Sequence, residues 1–174
     1  MGRTLIAGIG NIFLGDDGFG VEVVRRLRDE PLGREVEVAD FGISGVHLAY
    51  ALAGGGYESA ILVDAVSRGG APGTLYTIEP DVEEPRGDAT PVDAHSLTPD
   101  AVLAWVRRVG TPPARIVVVG CEPATVAESM ELSPPVAASI DGAIRLVREI
   151  VAGKNDDRCT SGSSTACQAL RLEI

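Results

Sequence analysis

Few side chains in this 174-residue sequence suit catalysis or metal binding, and three stand out. Asp17 lies beside Asp16 in GIGNIFLGDDGFG (8–20), so two adjacent carboxylates sit in a glycine-rich loop just before a helical pattern. Asp64 follows the apolar run Ile61-Leu62-Val63. A carboxylate beside a buried strand is costly unless it is paired, hydrogen-bonded or bound to a cation. His95, in DAHSL, is one of two histidines. Together Asp17, Asp64 and His95 make a carboxylate–carboxylate–imidazole set, a ligand mix suited to Zn, Ni or Fe. They are far apart in the chain, so the fold has to bring them together.

Each of these residues also has a plainer reading. Asp16 and Asp17 suit the cap of the following helix, where carboxylates accept amide hydrogen bonds and offset the dipole. Asp64 suits the closure of a turn. Asp40 ends a second strand-like run and, with Gly42 and Gly45 after it, reads as structural. His47 falls in a short helical segment and reads as a packing residue. Gly8, Gly10 and Asp40 imitate a dinucleotide fingerprint, but Phe13 stands where the third glycine belongs and the helix starts about five residues too late. A nucleophile reading fares no better. There is no G-x-S-x-G elbow, Ser44 in GISG lacks a strand-to-helix setting with a sound His partner, and Cys121, directly after a strand, reads as a small buried hydrophobe.

The elements that must position these residues alternate along the chain. Strand-length apolar runs occupy 4–9, 36–41, 59–66, 74–78 and 115–120, and helical patterns occupy 19–27, 46–52, 100–109 and 135–151. Continuous runs such as TLIAGI and SAILVDAV belong to strands buried on both faces. One-sided patterns belong to helices with one buried face, as over 19–27, where Phe19, Val21, Val23, Val24 and Leu27 oppose Glu22, Arg25 and Arg26. The alternation predicts one domain over 1–151, a three-layer α/β/α fold with a mainly parallel five-stranded sheet. In such sheets the site lies outside the carboxyl ends of the strands, here the residues after Ile9, Phe41, Val63 and Gly120. Residues 79–94 are expected to form a surface loop of functional length, and 152–174 a disordered tail.

The formal charge of −10 argues against nucleic acid and anionic membranes as partners, since either needs a basic face. Cys121, Cys159 and Cys167 lack the spacing of a metal module or disulfide framework. No segment reaches the ~18 apolar residues of a membrane span. The first residues lack a signal-peptide pattern, so the expected location is the cytoplasm. Aromatic residues are 4% of the chain, which leaves the core to aliphatic side chains.

Six segments in order, GIGNIFLGDDGFG, ADFGISGVHLAYAL, ILVDAVSRGGAPGTLY, DAHSL, VVVGCEP and LSPPV, closely resemble the maturation proteases of nickel–iron hydrogenases. The resemblance runs from about residue 3 to 151. It implies an endopeptidase that removes a C-terminal extension from the hydrogenase large-subunit precursor after nickel insertion. By position it implies that Asp17, Asp64 and His95 are the metal-contacting and catalytic residues, with Asp17 where the family often has Glu. It also implies that Asp16, Asp40, Gly42 and Gly45 bind substrate, with Ile43 where many members have Thr. It implies further that nickel is delivered with the substrate, that the precursor is the partner, and that the protein is a monomer in transient complex. A cation so held polarises a carbonyl or lowers the pKa of a water. Two other functions compete: a nickel-sensing module without peptidase chemistry, and a nucleotide-binding oxidoreductase.

Overall fold

The computed structural model describes residues 2–80 and 99–153. In chain order its elements are β1 (Arg3–Ile9), α1 (Phe19–Leu27), β2 (Val36–Gly42), α2 (Gly45–Gly54), β3 (Tyr57–Ala65), β4 (Leu75–Ile78), α3 (Pro99–Val109), β5 (Arg115–Cys121) and α4 (Pro134–Val151). A single 3-10 turn, Gly15–Gly18, precedes α1. The strands form one sheet in the order β2-β1-β3-β5-β4. All adjacent pairs are parallel except β4 and β5. The expected mainly parallel five-stranded sheet is therefore present.

Burial explains the order. β1, β3 and β5 are central, and their side chains are continuously buried from Leu5, Ala60 and Ile116 up to Ile9, Asp64 and Cys121. β2 and β4 form the edges and are only partly buried. The direction of β4 follows from its connection. Residues 66–74 contain no helix to carry the chain back across the sheet, so β4 starts at the edge where β3 ends and runs the opposite way.

Helices cover both faces. Phe19, Val23 and Leu27 of α1 join Val136, Ile140 and Val147 of α4 over Ile6, Ile61, Val117 and Val119. On the other face Leu48 and Leu52 of α2 join Val102 and Val106 of α3 over Leu5, Ala7, Leu62 and Val118. Ile6 faces one core and its neighbours Leu5 and Ala7 the other, as the period of two in a strand requires. Among the largest fully buried side chains Phe19 is the one aromatic, so the core is aliphatic as its composition implies.

Two local features differ from the sequence expectation. The 3-10 turn ahead of α1 is absent from it, because four residues are too few to show a periodicity. His47 is exposed on α2 rather than packed, since Leu48, Ala49 and Leu52 supply the buried face of that helix. The expected loop over 79–94, with His95 just beyond it, and the expected tail over 152–174 lie mostly outside the described residues. Among the described residues no helix is long and apolar enough to cross a membrane.

Candidate functional site

β1 continues through α1 to β2 on one side, while β3 lies on its other side, so the connections diverge at the carboxyl ends of β1 and β3. Ligand sites of open α/β sheets form at this kind of crevice. Two glycines let α1 rest directly on it. A β-carbon on Gly20 would fall 2.0 Å from the carbonyl oxygen of Val63 and 2.4 Å from that of Ile9. One on Gly8 would fall 2.5 Å from the carbonyl oxygen of Gly20. Gly10, at φ 125°, turns the chain out of β1, and the backbone of Asp17 folds back to where its β-carbon would be. The Asn11 amide donates to Asp17 Oδ2 at 2.7 Å and fixes the half-buried carboxylate in that position.

Asp64 lies on the next strand, 5% exposed, with Oδ1 accepting the Ala65 amide at 2.8 Å. Burial pushes its carboxyl well above the ordinary Asp range, the negative charge of Asp17 adds to the rise, and the Ala65 amide opposes it. A buried acid with a second acid as its electrostatic neighbour is suited to two things: sharing a proton or holding a cation. Asp17 and Asp64, far apart in the chain, are thus electrostatic neighbours. His95 is outside the described residues. Among the described residues no group of three His, Cys, Asp or Glu side chains is placed to hold a metal ion. Two carboxylate donors at a switch point suit part of a metal shell, completed from elsewhere.

Asp16 and Asp17 point to different tasks despite being adjacent. Neither caps α1, whose N-cap is Gly18 with no side-chain hydrogen bond. Asp16 is fully buried, and its carboxylate accepts the amides of Ala124 (2.8 Å), Thr125 (3.1 Å) and Ser133 (2.6 Å) and the Ser133 hydroxyl (2.8 Å). Burial works to raise its pKa, but these hydrogen bonds outweigh it and hold the carboxyl below the ordinary value. Its contacts therefore fasten the loop before α4, a task different from the substrate contact that the resemblance implied.

Glu122 has a matching role that the sequence reading missed. It is 5% exposed; Oε2 accepts the Arg68 amide and the Tyr76 hydroxyl, both at 2.8 Å, and Oε1 the Gly69 amide at 3.2 Å. Burial acts to raise its pKa and this set of donors lowers it on balance. The signal was the one that exposed Asp64: an acid next to a buried apolar run.

The remaining candidates occupy the β2 side. Asp40 Oδ1 accepts the Gly42 amide at 2.9 Å, and Oδ2 lies 3.7 Å from Arg25 Nε. Gly42, at φ 51°, closes the turn and its carbonyl accepts the Gly10 amide at 3.0 Å. The pairing of β1 with β2 slips here, Ile9 facing Gly42 after Gly8 faces Asp40, and such bulges re-aim the chain at sheet rims. Gly45 begins α2. Cys121 is fully buried with Sγ 3.3 Å from Ser139 Oγ, in keeping with a packing role.

Comparison with known proteins agrees with this architecture. The profile described as hydrogenase maturation protease matches residues 21–150. The chain is 35% identical over 151 residues to the hydrogenase expression/formation protein HupD of Rhodobacter capsulatus, covering 85% of this chain and 71% of that one. It is 33% identical over 147 residues to the hydrogenase 2 maturation protease of Escherichia coli, covering 83% and 88%. The solved structure of the hydrogenase maturating endopeptidase HybD from E. coli superposes with a TM-score of 0.71 at 28% identity, over 87% of this chain and 93% of that one.

Proposed function

Since the chain belongs to the hydrogenase maturation protease family, we propose that it cleaves the C-terminal extension from a nickel–iron hydrogenase large-subunit precursor after nickel insertion. The observation that carries this reading is the Asp17–Asp64 pair at the switch point. Burial and mutual repulsion both disfavour two negative charges there, and a cation relieves both. In this reading Asp17, Asp64 and His95 form an incomplete shell that meets nickel borne by the substrate. Nickel, when present, supplies Lewis acidity toward the scissile carbonyl. The chain's own residues orient the pair: the Asn11 amide holds one oxygen of Asp17, and the Ala65 amide holds one oxygen of Asp64. Asp40, Gly42 and Gly45 form the adjoining turn against which the substrate chain is placed. The protein works as a cytoplasmic monomer in transient complex with the precursor.

Mass spectrometry of a purified precursor, nickel-loaded or nickel-free, after exposure to the protein tests this. Shortening of the nickel-loaded form alone is expected. An uncut precursor in a nickel-dependent complex favours instead a sensing module without peptidase activity.

A further inference from the structure

Among the described residues five large apolar side chains are strongly exposed, and four stand on loops leaving the carboxyl edge of the sheet. Phe13 (60% exposed) follows β1, Ile43 (63%) follows β2, and Val126 (53%) and Met130 (75%) follow β5. The Asp17–Asp64 pair lies at that edge. Apolar side chains scattered singly need no explanation, but several collected around one site mark an interaction surface.

The loops that carry them are fastened to one another. The Ser129 amide donates to the Phe13 carbonyl at 3.0 Å and the Gly15 amide to the Ser129 carbonyl at 2.7 Å, joining the first loop to the third. The Gly10 amide bond to the Gly42 carbonyl joins the first to the second. Residues 124–131 are all exposed, so they have no core of their own to keep a shape. Asp16 keeps it for them. A fully buried carboxylate is a costly way to fasten a loop, and Val126 and Met130 are the large apolar side chains this loop displays.

We infer that Phe13, Ile43, Val126 and Met130 form a preformed docking surface around the Asp17–Asp64 pair, occupied by an apolar face of the large-subunit precursor with a cationic centre. This rests on the processing reading above. Charge selects the occupant. The chain carries −10, and Glu128 and Glu131 are exposed on the Met130 loop, so a second copy would set like charge against like. A partner with apolar surface around a bound cation matches both the rim and the acidic pair. Anchors already held in place avoid part of the ordering cost of association, and Met130 supplies an adaptable contact.

Biolayer interferometry with a purified, nickel-loaded precursor compares wild type, Phe13→Ser/Met130→Ser and Tyr50→Ser, the last removing an equally exposed side chain (58%) from α2. The double variant is expected to bind at least ~10-fold more weakly, the loss typical of an interface anchor. Tyr50→Ser is expected to bind like wild type, and wild-type affinity to fall as salt rises. Equal affinity in all three, or equal loss in both variants, overturns the docking surface. Self-association of wild type by sedimentation, or binding to phosphatidylglycerol vesicles, that the double variant abolishes overturns it in favour of a second copy or a lipid. Met130→Gln, close in size, repeats the comparison if the double variant melts early. A wild type that binds through these residues without cutting overturns the processing reading and keeps the docking surface. Cutting with affinity indifferent to them does the reverse.

Discussion

Gly20 and Val63 are in direct backbone contact: the first turn of α1 lies where the carbonyl of Val63 leaves no room for a β-carbon. The contact sets the distance between the turn that carries Asp17 and the strand end that carries Asp64. Packing and electrostatics of the candidate site therefore meet at one glycine.

Gly20→Ala is expected to lift α1 from the sheet. Overpacking a closed interior costs ~1–3 kcal/mol, and the obstacle here is backbone rather than a flexible side chain, so the upper end applies. Thermal denaturation should show the midpoint falling by roughly 5–10 °C for a chain of this size. Nickel-dependent processing should fall with it, measured below the new midpoint.

Asp64→Asn keeps the shape of the side chain and removes a charge that burial and Asp17 both disfavour. The variant is expected to be more stable than wild type at neutral pH by ~0.5–2 kcal/mol, the usual gain from relieving a functional position. The sign follows from the raised pKa. The Asp64 share of stability is present below its unfolded value near 3.8 and is lost as pH rises through the folded value. Processing should drop at least ~100-fold, as for the loss of a metal-site group. A stable variant with full activity removes Asp64 from the site.

Asp16 and Glu122 predict the opposite pH dependence. Their folded pKa values lie below the ordinary 3.8 and 4.5, so the stability they contribute is present above those values and is lost as pH falls through the folded ones. Asp16→Asn, which sets amide hydrogens against the donors of Ser133, should cost ~2–4 kcal/mol at neutral pH. Chemical denaturation from neutral pH into acid should show the gap to wild type closing. A constant gap removes the ionised clamp.

The legible part of the fold was the part written in apolar runs. Central strands buried on both faces, such as Ile61-Leu62-Val63, and helices with one apolar stripe, such as α1, have periods that survive without context. The acids were visible for a related reason, because Asp64 interrupts an otherwise apolar context. What a carboxylate faces was not visible. Asp16 and Asp17 are identical in type and adjacent, and the 3-10 turn sends one to the loop before α4 and the other to the crevice. The partners of Asp16 are more than a hundred residues away, beyond the reach of any local pattern.

The two histidines should separate cleanly. His47 is exposed on α2, so His47→Ala is expected to stay within ±0.5 kcal/mol in stability and to process the precursor at the wild-type rate. His95→Ala, in the proposed three-residue shell, should abolish processing while circular dichroism remains native. The reverse pattern moves the site to the α2 side.

Metal order gives a last expectation. Protein treated with a chelator and then freed of it should retain full activity on nickel-loaded precursor and have none on nickel-free precursor, because two acids and one imidazole hold a bare ion weakly. Affinity for free nickel, followed by calorimetry, should fall further as pH drops and protons compete for the ligands. Activity that returns only when zinc is added identifies a resident metal and excludes delivery by the substrate.

The carboxylate of Asp16 closes on Ser133, 117 residues downstream, and α1 shares its core with α4. A chain emerging from the ribosome makes Asp17, β1 and β3 early, yet it cannot lock them until α4 has been synthesised and has folded back. Contacts of such separation are late and slow to form. A nascent chain thus carries both acids of the candidate site before it has α4, the final helix among the described residues, against which α1 packs.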